Sequence, residues 1–116
     1  MKITSIENYL DTLHPDLLWW THEVMSYIEK TYDTYPVVLF YQRPTIIIKK
    51  QLFIMLGGGK AHFSLYTTDF EYVEDHKLLK LPKVKYGKSA ILFPLEKREL
   101  IAEAYKVIDE VITRSQ

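Results

Sequence analysis

The sequence has 116 residues and no cysteine, and its fifteen Lys and Arg are balanced by fifteen Asp and Glu. This length fits one domain, and we expect residues 1–116 to form it. The composition, 47% apolar, excludes a disordered chain. The lack of cysteine excludes disulfides, thiolate zinc sites, iron–sulfur clusters and thiol nucleophiles. Because the net charge is zero, a dedicated nucleic-acid binder is not expected.

The N-terminal stretch MKITSIENYLDTL contains acids and lacks the apolar core of a signal peptide. The longest apolar stretches are far shorter than the roughly 20 residues that a membrane span needs. We therefore expect a cytoplasmic protein with no membrane partner.

Apolar residues at helical spacing predict helices at both ends of the chain. Ser5 can cap a first helix that ends at Leu13. Pro15 suits the first turn of a second helix, which we expect to end near Tyr32. The C-terminal helix is predicted from Glu96 to about Arg114. Helices 15–32 and 97–113 are expected to pack on the same sheet face and to bury Trp20, Val24, Ile28, Ile101 and Ile108.

Between the terminal helices, β-branched and aromatic residues predict five strands, at 37–41, 45–49, 51–56, 61–67 and 89–94. Short links as far as residue 67 favour antiparallel neighbours. A short helix is predicted over 70–79. The strand at 51–56, QLFIML, is apolar on both faces. Its second face therefore lines a groove, packs on another subunit as in a homodimer, or is covered by residues 68–88.

Charge is distributed unevenly along the chain. Residues 1–33 have six acids and two bases (net −4), residues 34–88 nine bases and four acids (+5), and residues 89–116 four bases and five acids (−1). The middle segment ends in a lysine-rich stretch made up of Lys77, Lys80, Lys83, Lys85 and Lys88. Such a stretch either holds phosphates or is a solvated loop that protects an edge strand, and we favour the loop.

The short motifs in the sequence mostly lack residues that a known type of functional site requires. The stretch GGGK at 57–60 lacks the glycine and the hydroxyl residue of a phosphate-binding loop, because Ile54 and Ala61 occupy those positions; a hairpin connection is predicted instead. Among the histidines, His22 and His76 are expected to be solvated. Strand alternation places His62 on one face with Ser64 and Tyr66, either as the wet side of the strand or as a ligand site.

Three motifs in order resemble the YdhG-like family of small intracellular domains of unknown function. They are Tyr41-x-x-Pro44, then Lys60-x-His62-x-x-Leu65-Tyr66, then Lys88-x-x-Ile91-x-Phe93-Pro94-Leu95. The resemblance covers about residues 5–112. It implies an α+β domain with a curved antiparallel sheet flanked by the terminal helices. One member of the family is described as a frataxin-like iron chaperone, which implies iron bound on exposed carboxylates.

The sequence departs from the family pattern near these motifs. Val37 and Val38 stand where an acid commonly precedes the tyrosine, and Gln42 and Ser89 replace glycines. For iron, which would be passed to an accepting protein, hard oxygen ligands are needed. The candidate metal ligands are Asp69, Glu71, Glu74 and Asp75, and the acidic faces of the first two helices are a second candidate cluster.

Two classes of function stay open. In the first, the protein is a non-enzymatic binding domain for iron or for a small anion. The candidate ligand residues are Tyr41, His62, Tyr66 and Lys88, with Pro44 and Phe93 as scaffold. In the second, it is an interaction or assembly module that uses the apolar second face of its sheet. An enzyme is not expected, since no positioned pair of acid and base is evident.

Overall fold

The two N-terminal helices begin where the sequence predicts, the first after the capping residue Ser5 and the second at Pro15. In the computed structural model, which describes residues 2–116, α1 spans Ile6–Asp11 and α2 spans Pro15–Thr31. The Ser5 hydroxyl accepts a hydrogen bond of 3.0 Å from the backbone N–H of Asn8, which satisfies one of the free donors at the start of α1. Across residues 2–116, no helix combines the length and the apolar content required to span a bilayer.

One open antiparallel sheet contains the five predicted strands and a sixth. The strands are β1 (Val38–Phe40), β2 (Arg43–Lys49), β3 (Leu52–Gly58), β4 (His62–Thr67), β5 (Lys85–Tyr86) and β6 (Ala90–Pro94). Their order is β1-β2-β3-β4-β6-β5. The two residues of β5 are too few to give a periodic pattern, so the sequence did not indicate this strand. The α+β class with flanking helices is confirmed.

Helices α2 and α4 (Ile101–Arg114) cover one face of this sheet, as predicted. A 3₁₀ turn, Arg98–Leu100, leads into α4, and α3 (Phe70–Lys77) packs beside α4. The Trp20 ring stacks on Phe63 and on Phe93, with centroids 5.5 and 5.8 Å away. Four of the five residues predicted to be buried by these helices are completely buried, whereas Ile101, at the start of α4, is only half-buried.

Carboxylates of α4 accept hydrogen bonds from both neighbouring helices. Asp109 accepts from the Tyr27 hydroxyl at 2.7 Å and also from the Tyr32 hydroxyl, both near the end of α2. Glu110 accepts from the Tyr72 hydroxyl of α3 at 2.5 Å. These bonds fix the rotation of α4 about its axis, because each carboxylate faces a different neighbour.

Tyr27 makes the stability of the fold sensitive to alkaline pH. Burial and the hydrogen bond to Asp109 raise the pKa of Tyr27 from its ordinary 10.0 to about 12. The unfolded chain therefore loses this proton first, and stability present below pH 10 is lost as the pH rises towards 12. In urea denaturation, we expect the free energy of unfolding to fall less steeply above pH 10 in Tyr27→Phe than in the wild type. Tyr41→Phe, in an exposed turn, is the control; a slope changed equally in both variants contradicts the prediction.

The second face of the sheet is partly covered by α1. Tyr9 of α1 is buried and lies close to Arg43 and Tyr66, which point away from α2 and α4. Residues 68–88 are not the main cover, since α3 packs against α4. Apolar side chains that stay exposed lie towards the β1 edge of this face and at its rim: Val38, Ile47 and Phe70.

The β3–β4 hairpin requires a glycine at position 58. Gly58 has φ +149, and a Cβ there would lie 2.5 Å from the His62 carbonyl oxygen and 2.7 Å from Leu17 Cδ1. We expect Gly58→Ala to lower the free energy of unfolding by about 1–3 kcal/mol. Gly59→Ala is the matched control, because no atom lies within 4 Å of its added Cβ. Urea denaturation that gives equal losses for the two variants would show this prediction to be wrong.

Candidate functional site

A basic cleft of about 710 Å³ lies at the end of the sheet where β4 begins and β6 ends. Its volume is in the range of small-molecule sites. Four lysine or arginine residues and two carboxylates line it, which leaves an excess of two positive charges when His62 is neutral. The lining residues are Asp16, Lys60, Ala61, His62, Lys83, Lys85, Pro94, Leu95, Glu96 and Arg98.

The floor of the basic cleft is held by the pairing of β4 with β6. His62 faces Pro94 in the ladder, and the Ala61 carbonyl accepts a hydrogen bond of 3.0 Å from the Leu95 N–H. The Leu95 carbonyl in turn accepts a 3.0 Å hydrogen bond from the Trp20 indole N–H. The cleft is therefore joined directly to the packed core.

Two of the cleft's lysines come from the segment that leads into the edge strand. Lys85 lies in β5 opposite Leu92, and Lys83, just before β5, has φ +66. The prediction that the lysine-rich stretch protects an edge strand agrees with the position of Lys85. The same stretch also supplies positive charge to the cleft through Lys83 and Lys85. The sequence pattern alone could not distinguish these two roles of the lysines.

Arg98 forms one wall of the basic cleft. Its guanidinium carbon lies 4.4 Å from the centre of the Trp19 ring, and its Nη2 lies 3.7 Å from the Asp16 carboxylate. The aromatic face and the carboxylate together limit the directions in which this side chain points. No pattern in the sequence indicated Arg98 as a site residue, because only the tertiary fold brings it beside α2.

The structure separates the four predicted ligand residues. His62 lines the basic cleft, but Tyr66 is four residues further along β4, about 13 Å away. The Tyr66 ring lies over Gly57, where an added Cβ would be 2.8 Å from its Cε2. Lys88 points to the Phe70 ring, 5.9 Å from its centre. Tyr41 is exposed in the β1–β2 turn.

Tyr66 instead lines a smaller cavity of about 210 Å³ on the second face, together with Phe70. Arg43 also lines this cavity, and its guanidinium carbon lies 5.5 Å from the centre of the Tyr66 ring. The two predicted scaffold residues are both buried: Pro44 in β2 opposite Leu39, and Phe93 against Trp20.

The candidate metal ligands lie on or beside α3. Asp69 caps this helix, accepting from the Tyr72 N–H at 3.1 Å, and binds the Arg114 guanidinium at 2.8 and 3.1 Å. The hydrogen bond from Arg114 lowers the pKa of Asp69. The other three, Glu71, Glu74 and Asp75, are exposed. Within residues 2–116, no three His, Asp or Glu side chains converge in a way that could hold a metal ion.

The prediction that His76 is solvated is wrong. Its side chain is buried, with Nδ1 2.7 Å from the Tyr86 hydroxyl and Nε2 3.0 Å from the Glu103 carboxylate. A signal for this burial was present in the sequence, because His76 is three and four residues from Val73 and Tyr72 on one helix face. His76 joins α3 to α4 and lies outside the basic cleft.

Comparison with known proteins supports the fold. No protein-family model matches the sequence, and a search of curated proteins found no match. Among solved structures, the chain is similar to the crystal structure of YdhG, a DUF1801-family protein from Bacillus subtilis, with a TM-score of 0.64 and 18% identity. The match covers 90% of this chain and 89% of YdhG. The resemblance expected from the sequence motifs is therefore confirmed in the fold, which is that of a YdhG-like domain of unknown function.

Proposed function

We propose that the protein is a non-enzymatic domain that binds a small anion, a phosphate or carboxylate compound, in the basic cleft. The observation that carries this proposal is the excess of positive charge where four cationic side chains and His62 face one concave surface. These side chains come from the β3–β4 hairpin, the segment around β5, and the 3₁₀ turn. Clefts of one sign of charge attract ligands of the opposite sign.

The chemistry of the lining residues fits an oxyanion. Lysine offers a compact ammonium with three donors, and arginine offers a planar fork that matches phosphate or carboxylate oxygens. His62 adds a ring nitrogen that donates or accepts. Asp16, one of the two carboxylates, already lies close to Arg98 and is partly neutralised by it.

Calorimetric titration with inorganic phosphate and with succinate tests this function. We expect the wild type to bind at least one of them, and Lys83→Gln/Lys85→Gln to weaken binding by about tenfold or more. Lys77→Gln/Lys80→Gln is the matched control: it removes the same charge, and Lys80 shares the positive φ of Lys83. Equal weakening in both variants, or no binding by the wild type, would overturn the proposal.

A ferrous iron titration separates this function from the iron role. If iron binds to the wild type and is lost in Glu71→Gln/Glu74→Gln/Asp75→Asn, while neither anion binds, the carboxylates of α3 are the functional site. Asp69 is left unchanged in that variant because its carboxylate caps α3 and pairs with Arg114.

A second candidate function is protein interaction through the second face of the sheet. The observation that favours it is the exposure of Val38 and Ile47 on that face, 37% and 49% respectively. Sedimentation of the wild type and of Ile47→Ser tests it. Self-association that depends on concentration and is lost in Ile47→Ser supports the interaction role. A wild type that sediments as a monomer at every concentration contradicts it.

A further inference from the structure

An apolar cleft of about 430 Å³ adjoins the basic cleft, and Arg98 lines both. The other residues around the apolar cleft are Leu13, Pro15, Leu18, Trp19, His22 and Glu23. Leu18 is 36% exposed although it is a large apolar residue at the start of α2. Arg98 therefore divides a charged depression from an apolar one on the same surface.

Arg98 lies between the two clefts and contacts residues of both. Its guanidinium lies against the Trp19 ring, so one side of the arginine faces an aromatic surface. Its Nη2 is near Asp16, which belongs to the basic cleft. A ligand that pairs with Arg98 through an oxyanion would thus have its remaining part beside Trp19 and Leu18.

We propose that the two clefts form one composite site for a soluble amphipathic anion, with its phosphate or carboxylate in the basic cleft and an aromatic or short alkyl group on Leu18 and Trp19. This inference rests on the function proposed above and specifies the class of ligand. Glu23 at the apolar cleft disfavours an occupant that is negative at both ends. The apolar group gains free energy by leaving water against the exposed leucine and indole.

The test compares inorganic phosphate with phenyl phosphate by calorimetry and by NMR chemical-shift titration. We expect the wild type to bind phenyl phosphate on the order of tenfold more tightly than phosphate. Leu18→Ser should reduce this advantage, because only Trp19 then remains of the two proposed apolar contacts, and it should leave phosphate binding unchanged. Leu78→Ser should keep the advantage, because Leu78 is a leucine 75% exposed at the C-terminal end of α3 that lines neither cleft.

Each outcome bears on a stated part of the proposal. Equal affinity for the two probes in the wild type, or an advantage that is as large in Leu18→Ser as in the wild type, overturns the composite site and leaves anion binding in place. Binding of neither probe overturns the composite site, and it overturns the proposed function as well where succinate also fails to bind. Phenyl phosphate binding that is weakened both in Leu18→Ser and in Lys83→Gln/Lys85→Gln supports the composite site.

Vesicles distinguish a soluble ligand from a membrane lipid of the same chemistry. We expect no co-sedimentation of the protein with phosphatidylcholine vesicles that contain phosphatidylglycerol. Co-sedimentation that is lost in Leu18→Ser and is not displaced by phenyl phosphate would overturn the soluble ligand in favour of a lipid headgroup.

Discussion

A chain that ends at Leu95 is expected not to fold. Removing α4 uncovers the apolar surface that it buries through Ala104, Val107, Ile108, Val111 and Ile112. Each Å² of apolar surface left in water forfeits about 25 cal/mol. The same deletion leaves the hydroxyls of Tyr27 and Tyr72 without their carboxylate partners. Since domains of this kind are stable by only about 5–15 kcal/mol, the combined loss exceeds what the fold can lose.

Circular dichroism and NMR of the truncated chain provide the measurement. A chain that lacks only residues 115–116 is the control, because α4 ends at Arg114 and its apolar face is then intact. We expect cooperative thermal unfolding of the control and none of the shorter chain. A soluble, cooperatively folding fragment of residues 1–95 would show that α4 is not part of the core.

Trp20→Ala is expected to lower the free energy of unfolding by about 3–5 kcal/mol. The indole is completely buried, and its stacking on Phe63 and Phe93 joins α2 to β4 and β6. Alanine would leave a cavity that rigid strands cannot close. It would also leave the buried Leu95 carbonyl without the indole N–H, a further cost of about 1–3 kcal/mol if no water replaces it.

Two variants separate these contributions in urea denaturation followed by circular dichroism. Trp20→Phe keeps a stacked ring and removes the N–H. Its free energy of unfolding should therefore lie between that of the wild type and that of Trp20→Ala. Trp19→Ala removes the neighbouring indole, which is half-buried, and should cost less than Trp20→Ala. Equal losses for Trp19→Ala and Trp20→Ala would contradict the central position assigned to Trp20.

The fold could be predicted from sequence where burial imposes a period. The apolar stripe of α2 and the alternation in β4 produce strong local patterns, since each of these elements has one face on the core. The position of α1 could not be predicted in this way. Tyr9 packs on the second face while Trp20, eleven residues later, packs on the first. Local periodicity indicates that a side chain is buried, but it does not indicate on which of the two sheet faces the side chain packs.

The candidate site was predictable only in part, for a related reason. His62 was placed with Tyr66 because they share a strand face, but a shared face does not bring together residues at opposite ends of a strand. Arg98 and Lys85 reach the basic cleft through the 3₁₀ turn and through β5, two elements that are too short to have a period. Their contribution follows from tertiary packing alone.

The hydrogen bonds of α2 also limit the order in which parts of the protein can fold during translation. Trp20 and Tyr27 bind partners 75 and 82 residues later in the chain. The strands β1, β2 and β3, by contrast, each pair with the next strand in sequence, so their hairpins can close as soon as they leave the ribosome. The apolar stripe of α2 packs on β4 and β6 as well as on α4, so it is covered completely only after α4 has been made. In this protein, the second helix is among the first elements to be translated and among the last to be packed.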